Sequence, residues 1–526
     1  MQEGKKQRYP VGIQSFSKIR EEDFLYVDKT SLVYKLIEKG GYFFLSRPRR
    51  FGKSLLLSTL EAYFKGKKEL FKGLALESLV HDWDPRPVLR LDLNNGRYDQ
   101  ADELNILLAY NIGEWEREYK LDKIDDASSL PVGIRFGNLI KKIYEKTGKK
   151  VIILVDEYDK PLLNTIEHPE IVNDCRTLLK SFYSNLKTMD EYIEFAMLTG
   201  VARFSKVSIF SDLNNLRDIS FESEFAGVCG ITSDELDEYF KEGIEALAEE
   251  EGTSPEEIRA ELKRRYDGYH FSRKSPDIYN PFSLMSVFAK KDIGDYWFET
   301  GTPTFLVKVI RKLGIPLKDV APVRVESRFL ETAGVMNPNP VALLYQSGYL
   351  TIKSYDSRLR TYTLDYPNEE VKQGFLSCLM ESYLPQMNSP MGFSISEFIN
   401  DILIGNVNDF MVRLGNMLAG IPYSEKGSPE ARFQDAAYLL FTLTGFFARM
   451  EQRTSDGRID ITLETESYVY IFEFKIDSSA EKAMEQIKEK KYWQPFASSG
   501  KEIFLIGANF DTAVRTLSEY IIERLS

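Results

Sequence analysis

Between about Tyr42 and Leu198, short apolar runs alternate with longer stretches of helical periodicity. That alternation predicts a doubly wound parallel sheet. The predicted strands are Tyr42–Leu45, Val88–Leu93, Val151–Val155 and Ile193–Leu198. The third is continuously apolar, as a strand covered on both faces should be. From about Gly227 to Leu384 the pattern turns helical. Thr232-Ser-Asp-Glu235 predicts a capping box, and Asn280-Pro281 an N-cap before a first-turn proline. Inside this region a helix (Ala342–Ser347), a strand (Tyr349–Lys353), a polar turn (Ser354–Arg360) and a strand (Thr361–Asp365) follow one another. This is the outline of a winged helix-turn-helix with Arg358 and Arg360 near the wing tip. An ordinary hairpin packed beside helices fits as well and is the preferred reading. From about Phe393 onward a small α/β domain is predicted. Its elements are a helix (Ala431–Met450), strands Arg458–Leu463 and Tyr468–Lys475, a helix (Ser479–Tyr492), a strand (Glu502–Ala508) and a last helix (Asp511–Leu525). The pattern thus divides the chain into residues 1–226, 227–392 and 393–526.

Composition narrows the chemistry. The 526 residues include only 3 His and 3 Cys, and these are scattered. A disulfide scaffold, a Cys-rich zinc site and a His-cluster metal site are therefore excluded. Any chemistry must run mainly on carboxylates, Lys, Arg and hydroxyls. The N-terminus, Met1–Pro10, is polar and basic with no apolar run behind it, unlike a secretory signal. The longest apolar stretch, Ala436–Ala448, is interrupted by Thr442, Thr444 and Gly445 and falls short of the roughly 20 residues of a membrane helix. A cytoplasmic protein without a membrane partner is expected. With 68 basic against 80 acidic side chains the net charge is −12. Contact with nucleic acid must then be local and not spread over the surface.

Ser46-Arg-Pro-Arg-Arg-Phe-Gly52-Lys53-Ser54 lies between the first predicted strand and a helix, Leu55–Phe64. That is the setting of a phosphate-binding P-loop, although Arg47 stands where the usual motif has its first glycine. Backbone amides and the helix start would cradle phosphate oxygens, which makes Arg49, Arg50, Phe51, Gly52, Lys53, Ser54 and Leu55 the candidate nucleotide contacts. Lys53 would reach the β/γ-phosphates and the Ser54 hydroxyl would help hold Mg²⁺. The third strand ends in Asp156-Glu157. Asp156 suits the Mg²⁺ shell, and Glu157 suits the polarisation of an attacking water. The plain alternative is two solvated acids at a strand end. Thr199, ending the fourth strand, could sense the γ-phosphate, and Arg203 could meet transition-state charge in its own chain or a neighbouring copy.

The C-terminal region offers a second constellation, Gly457-Arg-Ile-Asp460 followed by Ile471-Phe-Glu473-Phe-Lys475. Alternation along a strand puts Glu473 and Lys475 on one face and Phe472 and Phe474 on the other. Asp460, on the neighbouring strand, can meet them. Two carboxylates form a hard-oxygen site for Mg²⁺ or Mn²⁺, and Lys475 can orient or deprotonate a nucleophile. Gln486 on the following helix and Glu430 before the first helix are further candidates, Glu430 as an extra metal-shell acid. Lys482, Lys488, Lys490 and Lys491, with Tyr492 and Trp493, suit nucleic acid beside such a site, or form a solvated helix face.

These segments, with Pro10-Val-Gly-Ile-Gln-Ser-Phe16, Tyr26-Val-Asp-Lys-Thr30, Val155-Asp-Glu-Tyr-Asp159, Leu198–Lys206, Tyr266-Asp-Gly-Tyr269, Tyr279-Asn-Pro-Phe282 and Gly301-Thr-Pro303, carry a resemblance over nearly the whole chain. It resembles bacterial proteins that join an N-terminal AAA-ATPase-like domain to a C-terminal PD-(D/E)XK nuclease-superfamily domain. Arg47 in place of glycine is typical of that family. The resemblance implies an additional-strand (ASCE) P-loop ATPase sheet, a helical or winged-helix-like middle and a restriction-endonuclease-like α/β domain. It also implies ATP and Mg²⁺ as cofactors and action on mobile or foreign nucleic acid, DNA before RNA; a homo-oligomer is required if Arg203 acts on a neighbouring copy. The leading reading is an ATP-controlled, metal-dependent nuclease. The alternative is a nucleotide-switched binding or sensor protein whose nuclease fold does not cut.

Overall fold

The computed structural model describes residues 7–121, 130–203, 213, 215–298, 306–307, 310, 320–330, 339–383, 395–419, 429–444, 449–455, 458–514 and 516–525; for some, including 429–434, 449–455 and 458–460, only the backbone is described. The motif segments at 204–206 and 301–303 and Gly457 lie outside these residues. The chain forms two compact units, one of Met1–Thr300 with Pro322–Val371, the other of Gly301–Ala321 with Lys372–Ser526.

The first unit is built on five parallel strands, β1 (Gly41–Ser46), β2 (Val88–Asp92), β3 (Val151–Asp156), β4 (Ile193–Gly200) and β5 (Leu216–Asp218), in the order β2-β3-β4-β1-β5. The four predicted strands are present, and β5 is an addition at the edge. Their apolar runs are buried throughout β3 and β4, with only Glu194 exposed. Strand β4 separates β1 from β3, the arrangement of the additional-strand P-loop ATPases expected above. Helix α1 (Lys53–Phe64) starts directly behind β1 and packs across β3 and β4.

Around a second core of Leu236, Phe240, Ile244, Leu262, Leu284 and Phe288 gather the helices Ser233–Tyr239, Lys241–Glu251, Pro255–Tyr266 and α2 (Pro281–Lys290). Both start signals read from the sequence are made. Thr232 and Glu235 cap each other reciprocally, and the Asn280 side chain accepts from the Phe282 and Ser283 amides. Helix α3 (Pro340–Ser347) leads into the antiparallel hairpin β7 (Thr351–Asp356) and β8 (Thr361–Asp365). Strand β6 (Val323–Glu326) adds to β8, so the lone hairpin becomes a three-stranded sheet in the order β6-β8-β7.

The second unit carries a mixed sheet of β9 (Arg449–Ser455), β10 (Arg458–Glu464), β11 (Tyr468–Ile476), β12 (Glu502–Asp511) and β13 (Thr516–Leu525), in the order β13-β12-β11-β10-β9. Helix α4 (Pro429–Thr444) precedes it. The β11–β12 pair is parallel and is joined through helix α5 (Ala480–Lys490), which packs on both strands.

One predicted helix of this unit ends early, and another is a strand. The first stops at Thr444, and Met450 already belongs to β9. A β-branched residue followed in sequence by Gly445 weakens the helix at that point. The last helix is strand β13. Leu517, Tyr520, Ile521 and Leu525 satisfy a helical spacing, but the Asp511 carboxylate accepts the Ala513 and Val514 amides at 2.8 and 3.2 Å and turns the chain back. The open edge of β12 then supplies nine paired positions, and Ile521 and Ile522 suit a pleated surface better than a helix. Among the described residues no helix is long and apolar enough to cross a membrane.

Candidate functional site

The loop after β1 is shaped by its own backbone. Arg50 and Gly52 have φ of 66° and 94°, in the left-handed region. Gly52 is the N-cap of α1 and takes this conformation without steric cost, whereas Arg50 does not. Phe51 anchors the loop with a buried ring, edge-on to Tyr269 and Phe271 at 4.7 and 5.5 Å. The Arg50 guanidinium lies 3.9 Å from the Phe282 ring centre, and Arg49 is exposed.

Lys53 opens α1 with its side chain almost wholly buried. Its ammonium donates to the Arg47 and Pro48 carbonyls, each at 3.2 Å, and sits 3.4 Å from Glu157 Oε1. Glu157 has φ 52°, a left-handed conformation at the end of β3. Burial works against its charge, but Lys53, Arg49 and Lys160 prevail and hold its pKa below the usual carboxylate value. The buried Asp156 accepts from the Thr199 hydroxyl at 2.8 Å, which ties the ends of β3 and β4 together. Lys53, Asp156, Glu157 and Thr199 thus gather at the carboxyl ends of the central strands. That is where open parallel sheets bind ligands. Ser54 follows Lys53 in the first turn of α1 and is half-buried, as is Leu55.

Arg203 is placed differently. Its guanidinium pairs with Asp218 and lies 4.4 Å from the Phe221 ring centre, within its own chain. Arg47 points away from the loop's interior. Its side chain is buried, donates to the Ser46 and Ser220 carbonyls at 2.9 Å and to that of Phe225 at 3.3 Å, and lies 4.1 Å from the Phe271 ring centre. Burial lowers its pKa to about 10. The residue that replaces the motif's glycine is therefore a structural pin.

Two carboxylates escaped the sequence reading. Asp159, fully buried, accepts the Val201 and Ala202 amides, and burial together with the nearby Glu157 charge pushes it up to about 7. Asp92 lies opposite Asp156 in the β2–β3 register and is raised by burial and by the Asp156 and Glu157 charges. The signal for Asp159 was present, as an acid three residues beyond the strand's last carboxylate in Asp156-Glu-Tyr-Asp159.

In the second unit Phe472 and Phe474 face the helical layer, 5.3 and 5.9 Å from the Phe441 ring, as the alternation requires. Glu473 and Lys475 face the opposite way, toward α5. Glu473 is fully buried, and Lys475 Nζ lies 2.6 Å from its Oε1. The same ammonium donates to Gln486 Oε1 at 2.5 Å, and Gln486 Nε2 reaches the Tyr492 hydroxyl at 3.4 Å. Asp460 occupies the register position directly opposite Glu473. Its side chain and that of Glu430, near the start of α4, lie outside the described residues. Among the described residues no cluster of three or more His, Cys, Asp or Glu is arranged to hold a metal.

Gly507, which the sequence reading passed over, sits beside Glu473 in β12. A Cβ there would come within 2.7 Å of the Met484 amide nitrogen and 2.8 Å of the Ala480 carbonyl oxygen. Its absence lets α5 settle close enough for Gln486 to reach Lys475. Lys482, Lys488, Lys490 and Lys491 are exposed, Lys488 pairing with Glu523 at 2.6 Å, while Tyr492 and Trp493 pack against the core under α5.

Comparison with known proteins agrees with this division. Residues 10–210 match the family model of a predicted AAA-ATPase, and residues 428–520 match that of the PD-(D/E)XK nuclease superfamily. An uncharacterised protein in the vnfD 5′ region of Azotobacter chroococcum mcd 1 is 36% identical over 540 aligned residues, covering 99% of each chain. The structure of the Aeropyrum pernix ORC1 protein in complex with DNA overlaps 66% of this chain and 91% of its own, at 10% identity and a TM-score of 0.23, too loose a likeness to bear on the site. The phosphate loop on a parallel sheet, the carboxylate–lysine strand on a mixed one and a full-length relative together place this chain in the family that joins a predicted AAA-ATPase domain to a C-terminal PD-(D/E)XK nuclease-superfamily domain.

Proposed function

We propose that the chain binds and hydrolyses ATP and that its nucleotide cycle controls a metal-dependent phosphodiesterase acting on nucleic acid, DNA before RNA, in the cytoplasm. The observation that carries the reading is the line Glu473–Lys475–Gln486 with Asp460 opposite Glu473 in register. The donor set fits a hard divalent cation, since two carboxylates on adjacent strands supply only oxygen. Asp460 and Glu473 would hold Mg²⁺ or Mn²⁺, with Glu430 as an additional acid. The bound ion would lower the pKa of a water and offset charge on the phosphate. Lys475, oriented by Glu473 and Gln486, would hold the nucleophile or receive its proton.

At the phosphate loop, Lys53 would exchange its carbonyl partners for β/γ-phosphate oxygens, and Ser54 and Asp156 would hold Mg²⁺. Glu157 would accept a proton from the attacking water. Its lowered pKa keeps it ionised near neutrality, at the cost of weaker basicity.

The test is the full-length protein with ATP, Mg²⁺ or Mn²⁺ and labelled single- and double-stranded DNA and RNA, beside Asp460→Ala and Lys475→Ala. Metal-dependent cleavage lost in both variants is expected. Identical behaviour of wild type and variants on every substrate removes the catalytic reading, and nucleotide-dependent binding without cleavage establishes the sensor alternative. Lys53→Ala that binds and hydrolyses ATP as well as wild type does would refute the phosphate-loop assignment.

A further inference from the structure

The phosphate loop is gripped by a residue 248 positions away. The Trp297 indole N–H donates to the Arg49 carbonyl at 3.2 Å. Trp297 is itself fixed through its backbone, because Glu370 Oε1 accepts the Tyr296 and Trp297 amides at 2.7 and 2.9 Å. The same buried carboxylate accepts from the Ser283 hydroxyl on α2 at 2.8 Å. The Trp297 ring packs 5.1 Å from Tyr349, and the preceding Gly348 lies so near the loop that a Cβ would come within 2.6 Å of Pro48.

A second contact holds the other side of the site. Gln346 Oε1, on the buried face of α3, accepts the Arg203 amide just beyond β4 at 2.7 Å. Its Nε2 donates to the Leu330 carbonyl at 3.0 Å. The neighbouring Tyr345 stacks on Phe221, the ring that also carries the Arg203 guanidinium. Trp297 therefore bonds the loop after β1, and Gln346 the turn after β4. A loop with Arg50 in the left-handed region keeps its shape only where its surroundings over-determine it. If Lys53 leaves the Arg47 and Pro48 carbonyls for phosphate, the adjoining Arg49 peptide is the first to feel the change.

We propose that Trp297 and Gln346 are positioning residues of the nucleotide site, holding the Arg49 carbonyl and the Arg203 amide so that the two walls of the site stay aligned. This rests on the reading of the loop as an ATP site.

Full-length protein is titrated with Mg²⁺–ATP while tryptophan emission is followed, and with a fluorescent ATP analogue for affinity. Wild type should show a saturable emission change that Trp297→Phe abolishes. Trp297→Phe, which keeps the ring packing, should weaken nucleotide binding roughly fivefold, the loss of one hydrogen bond. Gln346→Met should weaken it similarly, whereas Gln346→Glu, which retains the acceptor but sets an oxygen against the Leu330 carbonyl, should approach wild type only at acidic pH, where its protonated carboxyl can donate. Gln346→Met leaves the Trp297 packing in place and carries the test should Trp297→Phe fail to fold. If wild type and Lys53→Ala bind nucleotide equally or not at all, the ATP-site reading fails. If wild type binds, Lys53→Ala does not, and folded Trp297→Phe and Gln346→Met keep wild-type affinity, the positioning proposal is overturned and the ATP site stands.

Discussion

The two sites are built by different means. The phosphate loop is irregular backbone held from several directions, by the Phe51 ring, the Arg47 pin, the Trp297 indole and the Lys53 ammonium. The carboxylate–lysine site needs little beyond sheet geometry. Register sets Asp460 opposite Glu473, alternation sets Lys475 beside Glu473, and one missing side chain at Gly507 lets a helix deliver Gln486. A site made of register tolerates change at a distance but not at its own strand. A site made of loop contacts is exposed to change at each of its distant supports.

The sharpest way to break this contrast is Lys475→Met. Removing the cation from the buried pair with Glu473 should destabilise the C-terminal unit by about 3–5 kcal/mol, seen as a lower urea midpoint, besides abolishing cleavage. A neutral effect on stability would mean that the strand is not held by its own pair. Next comes Arg47→Gly, which restores the usual loop glycine. It removes a buried guanidinium and strands the carbonyls of Ser220 and Phe225. A loss of about 2–4 kcal/mol is expected, with nucleotide binding weakened despite the more conventional motif. Gly507→Val tests the other site through packing alone. Overpacking against Met484 and Ala480 should cost about 1–3 kcal/mol and lower cleavage while leaving ATP binding unchanged.

The last test concerns protons. Asp159 and Glu370 both rise from ordinary values of 3.8 and 4.5 to about 7 in the folded chain, chiefly through burial. Between those limits the folded form keeps protons that the unfolded chain has released. Stability of the first unit should therefore fall as pH rises from about 4 to about 7 and level off above. Asp159→Asn should flatten part of that slope in denaturation measured at several pH values.

Legibility in the sequence follows the same division. The four long parallel strands and α1 stand out because apolar runs and a phosphate-loop motif coincide. The faces of β11 were readable from alternation alone, since Phe472 and Phe474 needed only a helical layer to cover them. Strand β13 was not, because its apolar spacing fits a helix as well as a strand and the deciding factor was the free edge of β12. Short edge strands such as β5 and β6 carry too few residues for any period to emerge. Trp297 and Gln346 were invisible for another reason. Nothing local marks a residue whose partner is a backbone atom more than a hundred positions away.

Glu157 remains the one proposed catalytic group whose direction is set by its own φ of 52°. A side chain with a Cβ in that region raises the energy of the native state by about 1 kcal/mol or more. That cost falls at the end of β3 and adds to the one at Arg50 in the phosphate loop. An acid held in that conformation has its direction fixed before any ligand arrives, so in the proposed mechanism the strain is the cost of pre-organisation.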